Sequence, residues 1–436
     1  MSKTTEHELM IDEYESEPVP VSARRSLLAV ASVWAGFPMI ITSAVTGATL
    51  VHGLGFGGGM AAVGIGNALL LLYVGTLSAL AAKTGRNFSL QATQTFGRSG
   101  YVVCSGLLST LVLGWFAVQA GLVGESVAGT FAVNKTAVVL VVGVLFTAFT
   151  LLGIKALAII GQISVPMFLV LGVLAAFQAA GANSADIFGY RGDPSASIAL
   201  GAGVTLVFAL FADSGTMTAD FTRWAKSPRD AWIATAAAFP IGNGVAMCVG
   251  GSIAAAAGGS GDVFSILAHN GGVLAVIAII FLFVNLGSVC THCLYNSAVG
   301  WSSIVHGRMR VLTLCLGVVG MIVAAAGIWD YFIDWLNLLG VIVPPIGAII
   351  IVDQLWARRH DCGPVPAVRW QPFVAWAIGS GIALLVDKQA PSLCTVAVGL
   401  VSAGIACAVL EKLTFTAPPD APVSAAQPAV SEGVTQ

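Results

Sequence analysis

The chain has 436 residues, of which 57% are hydrophobic and only 9% charged, with a mean hydropathy of +0.90. A soluble domain carries about 25% charged residues, so this composition could not keep its surface in water, and it reads as an integral membrane protein. A net charge of −2 and a pI near 6.3 leave no basic footprint for nucleic acid.

In chain order, residues 1–26 read as a cytosolic tail. No signal peptide precedes them, and residues 1–17 hold six acids, Glu6, Glu8, Asp12, Glu13, Glu15 and Glu17, before any apolar stretch. Apolar runs of about 17–25 residues can cross a bilayer as helices. Twelve follow, at 27–50, 58–82, 101–128, 137–153, 157–180, 197–222, 231–257, 272–300, 311–328, 332–352, 372–387 and 392–411. The membrane-spanning domain therefore covers 27–412, and the tail at 413–436, rich in Pro, Ala, Val and Ser, reads as disordered. Sixteen of the nineteen Lys and Arg fall on one side of these spans, and only Lys135, Arg191 and Lys388 on the other. The positive-inside rule then places both termini in the cytosol. Seven of the eight cysteines lie in or beside apolar runs and read as small membrane-helix residues, not a disulfide framework.

Polar and glycine-rich segments at mid-span mark more than an anchor. Span 1 holds Gly36-Phe37-Pro38, followed by Thr42, Ser43, Thr46 and Gly47. Residues 55–59 are a glycine-rich entry into span 2, without the lysine of a phosphate cradle. On span 3, Trp115 and Gln119 are four apart and share a face with Leu122 and Ser126. A flat π surface beside a group that both donates and accepts suits a planar heterocycle; a Trp in a span equally serves packing or interfacial anchoring. Glu125 falls at the outer interface.

Span 6 holds Phe211-Ala212-Asp213-Ser214-Gly215-Thr216. A mid-span Asp costs about 2.5–3.5 kcal/mol to insert, so Asp213 should face a cavity or a partner. Either it accepts hydrogen bonds from a substrate or carries a proton, or it caps a broken helix from inside. Ser214 could fill that cap alone, and Phe211 offers a second ring or simply packs. Spans 1 and 6 are both broken and lie five spans apart, which fits a five-plus-five inverted repeat (27–180 and 197–352) with two extra helices at 372–411. Such paired breaks point to a transporter's central site.

On span 8, Asn285, Ser288, His292 and Asn296 form one polar stripe, which either lines a wet path or glues helices together. His292 is either a satisfied neutral histidine or a titrating group. Ser288 with carbonyls of the span 1 break could hold a hard cation such as sodium. Cys290-Thr291-His292-Cys293 has metal-motif spacing but no second pair, so one helix could not close a tetrahedral site. Asp353 lies at a cytosolic helix end beside Arg358 and Arg359 and should pair with basic neighbours. No protease-type catalytic pair and no repeated ring of like residues appears, which argues against an intramembrane enzyme and a passive channel.

Several segments resemble the nucleobase–cation symporters of the purine–cytosine permease family. They are the Pro18–Arg25 stretch, Gly66-Asn67, Ala82-Lys83-Thr84-Gly85, Gly114-Trp115-Phe116, the run Ser214–Arg223 containing Thr218-Ala219-Asp220-Phe221, Gly242-Asn243, Leu294-Tyr295 and Pro344-Pro345-Ile346-Gly347. They run collinearly from 18 to about 360. The resemblance implies an all-α leucine-transporter-type fold of twelve helices, alternating access, and a base sandwiched between Trp115 and Phe211. It also implies a sodium site on Gly36, Ile40, Asn285 and Ser288.

Against the family pattern, Val289 lacks the hydroxyl expected beside Ser288. Asp213 replaces a serine, Cys290 an asparagine and Val112 a glutamine, whose place Gln119 could take from one turn away. A carboxylate accepts only, so Asp213 favours an amino-bearing base. The expectation is a multi-pass bacterial inner-membrane importer, acting as a monomer in the lipid bilayer without a cofactor. Its substrate is cytosine, or alternatively a purine base or related aminated heterocycle. Sodium at Ser288, or a proton on Asp213 or His292, is the coupling ion.

Overall fold

A computed structural model describes residue 14 and residues 17–152, 154–183, 186–259, 262–305, 307–357 and 364–414. Lys3, five of the six N-terminal acids, the Lys155 side chain, Arg358, Arg359, Cys362 and the tail beyond Thr414 lie outside the described residues.

The described residues form helices and no strand. In order these are α1 (Leu27–Gly36), α2 (Ile41–Thr84), α3 (Phe88–Phe96), α4 (Tyr101–Phe131), α5 (Lys135–Leu151), α6 (Ile154–Asn183), α7 (Leu200–Ala209), α8 (Ala212–Thr216) and α9 (Ala219–Thr222). Then come α10 (Pro228–Ala236), α11 (Gly244–Ala257), α12 (Val263–His269), α13 (Gly272–Val305), α14 (Met309–Ala325), α15 (Phe332–Ile342), α16 (Pro344–Val352), α17 (Trp370–Gln389) and α18 (Thr395–Thr414). Helix occupies each expected apolar run. Among the described residues, seven helical stretches are long and apolar enough to cross a membrane, so the chain is a multi-pass membrane protein.

Both expected breaks are present. α1 stops at Gly36 because Pro38 cannot continue the ladder; Ile40 is extended (φ −130°, ψ 159°) and the chain re-enters helix at Ile41. The second break falls at Phe211 (φ −130°, ψ 23°), between α7 and the five-residue α8. A third irregularity, a π-helical stretch Ala237–Asn243 around Pro240, joins α10 to α11.

The glycine-rich entry resolves to one residue. Gly55 alone leaves the helical region, at φ 73° and ψ 172°, and there the Phe56 amide donates to the Tyr190 carbonyl over 2.9 Å. Two short helices were not anticipated, α3 and α12. Each opens on a polar cap, the Asn87 and Asp262 side chains accepting from the Leu90 and Phe264 amides.

Hydrogen bonds tie the basic segments into one face. The Val19 amide donates to the Gly85 carbonyl (2.8 Å), Arg25 to Trp224 (2.8 Å) and Arg98 to Pro366 (2.9 Å). The Arg25 and Arg223 guanidinium groups each lie over the Trp224 ring, 5.1 and 5.4 Å from its centroid. Asp353 pairs with Arg369, at 2.8 Å, and that guanidinium also binds Glu411 at 2.6 Å. The adjacent arginines proposed as its partners lie outside the described residues. At the opposite face Glu125 meets Lys135 over 2.6 Å. There too the Ser195 hydroxyl and amide donate to Asp193, holding its carboxyl below the usual carboxylate range.

Candidate functional site

The two helix breaks meet α4 and α13 in the middle of the bundle. Asn285 on α13 holds the first break in shape. Its Oδ1 accepts from the Ile41 amide (2.8 Å), and its Nδ2 donates to the Met39 carbonyl (3.1 Å) and to Ser164 Oγ on α6 (2.8 Å). Backbone groups freed by Pro38 are thus satisfied by a side chain, as a low-dielectric interior requires.

The proposed cation ligands separate into two groups. Gly36 and Ser288 line a cavity of about 20 Å³ together with Ser32, Val33, Phe37, Gly161, Gln162 and His292. That volume holds one water-sized occupant. Asn285 is instead spent on the backbone either side of Ile40, and Val289 brings no oxygen. The His292 Nδ1 donates to the Ser288 carbonyl (2.7 Å), because a carbonyl can only accept, and this leaves Nε2 as the free ring position. Asn296, at the end of the same stripe, is half-buried.

Beside the second break, Asp213 is wholly buried. One oxygen accepts from the Ser214 amide (2.7 Å), the local cap anticipated from the sequence, while Oδ2 has no partner. The Trp115 indole N–H lies near Asp213 without closing a hydrogen bond of normal geometry, and it too has no partner. Gln119, also wholly buried, accepts at Oε1 from the Thr42 hydroxyl, and its Nε2 is unpartnered. Two N–H donors and one acceptor are therefore buried and unused on the elements flanking the break. Unsatisfied buried polar groups each cost free energy, so their grouping needs a reason. Cys290 donates to the Phe116 carbonyl across 3.7 Å and is committed to the α13–α4 contact.

The two rings of the expected sandwich do not touch each other. Trp115 packs edge-on against Phe332 of α15, with centroids 6.2 Å apart. Phe211 packs against Phe37 (5.9 Å) and Phe239 (5.6 Å). Phe37 also meets the His292 ring at 6.2 Å, so a chain of rings links the small cavity to the second break. Phe37, Thr42, Ser164 and Phe332 were missing from the sequence-derived site. Phe37 and Thr42 stood in the break motif and polar run of span 1; Ser164 and Phe332 had no local signal, because each matters only through what faces it.

Comparison with known proteins agrees with this architecture. The model of the family described as "Permease for cytosine/purines, uracil, thiamine, allantoin" matches residues 18–386. The cytosine permease of Escherichia coli strain K12 is 31% identical over 371 residues, covering 84% of this chain and 87% of that one. Among solved structures, Mhp1, a nucleobase-cation-symport-1 family transporter, aligns in a closed, bromovinylhydantoin-bound form with TM-score 0.76 and 17% identity, over 91% of this chain and 94% of that one. Its inward-facing conformation aligns with TM-score 0.77, also at 17% identity, over 91% and 92%. These likenesses establish the fold as that of the leucine-transporter type. This multi-pass protein is a transporter and not an enzyme, and it belongs to the family of permeases for cytosine and purines, uracil, thiamine and allantoin.

Proposed function

We propose that this protein imports a nucleobase, cytosine first, by cation symport with alternating access. The observation that carries the reading is the pair of buried, unpartnered atoms Gln119 Nε2 and Asp213 Oδ2, with the Trp115 ring beside Asp213. A planar base would meet Gln119 Nε2 and Asp213 Oδ2 with its edge, while Trp115 and Phe211 part to admit it between their faces. Asp213 would accept from an exocyclic amino group, Ser214 would hold the carboxylate in place, and Cys290 would border the pocket. Twelve membrane helices in two inverted sets of five plus two extra, both termini in the cytosol, a bacterial inner-membrane location and monomeric action complete the proposal. The basic face tied together by Arg25, Arg98, Trp224 and Arg369 supports that orientation. A purine or related aminated heterocycle is the alternative, favoured by the same acceptor.

For the coupling ion the donor set favours a proton on Asp213 or His292. Asn285 is used on the break, Val289 brings no hydroxyl and the Ile40 carbonyl accepts from the Ala44 amide (3.2 Å), which leaves Ser288 and the Gly36 backbone of the sodium set near the small cavity, fewer than a hard cation usually takes. Sodium would be the co-substrate if backbone carbonyls of the break supply the rest.

The test is uptake of radiolabelled cytosine by cells lacking their own permease, comparing the native protein with Asp213→Ser. Uptake that is at least about tenfold lower in the variant is the expected result, equivalent to losing one charged hydrogen bond. Uptake by the variant and none by the native protein would overturn cytosine and direct the search to purines and other heterocycles.

A further inference from the structure

We infer that Tyr73 is a positioning residue for the substrate site: through Thr216, its hydroxyl fixes the peptide that carries Asp213 and so the direction of the Asp213 carboxylate. The inference rests on the proposed nucleobase site and names a residue outside it that holds its acceptor in place.

Asp213 lies on α8, five residues with an irregular joint at each end, Phe211 (φ −130°, ψ 23°) and Met217 (φ −84°, ψ 11°). A helix that short has no stability of its own, so its neighbours must fix it. The hydrogen bond that Asp213 accepts, from the Ser214 amide, lies within the same turn, and Oδ2 has no partner. The aim of the carboxylate therefore follows the aim of α8. On α2, Val74 packs against Gly215, where an added Cβ would stand 2.7 Å from the valine methyl. Next to it, the buried Tyr73 hydroxyl lies 2.6 Å from the Thr216 hydroxyl. Thr216 has one hydroxyl proton and gives it to the Ala212 carbonyl over 2.6 Å, so the tyrosine is the donor of the pair. The chain runs one way, from Tyr73 to Thr216 to Ala212. That last carbonyl shares a planar peptide with the Asp213 amide.

The surroundings make room for this hydroxyl. It lies against Gly347 of α16, where a Cβ would overlap it, and the Tyr73 ring packs on Phe208 of α7 with centroids 5.2 Å apart. One side chain thus joins α2 to both halves of the second break and to α16. A second anchor from α2, the Ser78 and Thr218 hydroxyls at 2.7 Å, falls beyond the Met217 joint. It holds the start of α9 and leaves α8 to Tyr73. Loss of the Ser78 hydroxyl should therefore spare the substrate site, whereas loss of the Tyr73 hydroxyl should let Asp213 turn.

The experiment measures KM and Vmax for cytosine uptake, at matched amounts of protein in the membrane, in the native protein, Tyr73→Phe, Thr216→Val, Thr216→Ser, Ser78→Ala and the double variant Tyr73→Phe/Thr216→Val. Tyr73→Phe is expected to raise KM about three- to tenfold, the worth of one neutral hydrogen bond, with Vmax held. Thr216→Val breaks the same link from the other side, so the idea stays testable if Tyr73→Phe misfolds. The double variant should be no worse than either single one, because both remove one interaction. Thr216→Ser keeps the hydroxyl and should keep the native KM, as should Ser78→Ala. Unchanged KM in a folded Tyr73→Phe or Thr216→Val overturns the inference, and so does an equal rise in Ser78→Ala, which would mean general support of the bundle. Either result leaves the proposed function standing while the native protein takes up cytosine. Absence of native cytosine uptake overturns the proposed function, and this inference with it.

Discussion

Asn285 accepts a hydrogen bond from the Ile41 amide over 2.8 Å, joining the middle of α13 to the point where the first broken helix resumes. The same side chain reaches the Met39 carbonyl and Ser164, so one residue satisfies both sides of the break and connects it to α6. Mutation of Asn285 to Ala would leave the Ile41 amide, the Met39 carbonyl and the Ser164 hydroxyl without this partner, at about 1–3 kcal/mol for each group left unpaired. A clear drop in the melting temperature of the detergent-solubilised protein, together with loss of uptake, is expected. A variant as stable and active as the native protein would show that the break is held by other means.

Proton coupling predicts that uptake persists in sodium-free buffer and rises with an inward proton gradient. Ser288→Ala should then leave uptake nearly unchanged, since His292 bonds the Ser288 carbonyl and not its hydroxyl. Strict sodium dependence that disappears in Ser288→Ala would establish the opposite assignment.

Arg369 is nearly buried and serves two carboxylates at once, Asp353 and Glu411, while also donating to the Gln94 and Thr95 carbonyls of α3 over 3.2 and 2.8 Å. Removing one member of a buried ion pair typically costs about 3–5 kcal/mol, because the remaining charge is stranded. Arg369→Ala should reduce the yield of folded protein measured by size-exclusion chromatography. Arg369→Lys should restore it only in part, since an ammonium cannot reproduce the guanidinium fork. Full recovery by lysine would argue for charge alone.

Gly55 adopts φ 73° and ψ 172°, a region open to glycine alone, and a Cβ there would stand 3.0 Å from backbone atoms of Tyr190 and Arg191. Gly55→Ala should destabilise by at least about 1–3 kcal/mol. Thermal melting of the purified variant checks this, and an unshifted midpoint would mean that the corner relaxes. Gly57 and Gly64, where an added Cβ meets nothing within 4 Å, are the controls expected to tolerate alanine.

Helices, membrane setting and the two breaks were legible in the sequence because their causes are local. A run of apolar side chains has one stable place, proline lacks an amide hydrogen, and a buried aspartate needs a partner. Trp115, Gln119, Asp213, Ser288 and His292 could be singled out for the same reason: each is a polar or aromatic group at a depth where such groups are costly. What each one does was decided by residues far away in the chain. Asn285 reads in the sequence as a cation ligand, and the fold also gives its amide Met39, Ile41 and Ser164; Trp115 reads as one face of a sandwich with Phe211, and the fold sets Phe332 against its ring. Gln119 could have been held by either end of its amide; Thr42, 77 residues before it, holds the oxygen. Local chemistry determines which groups must be satisfied, and only the packing of distant helices determines which of them are left free.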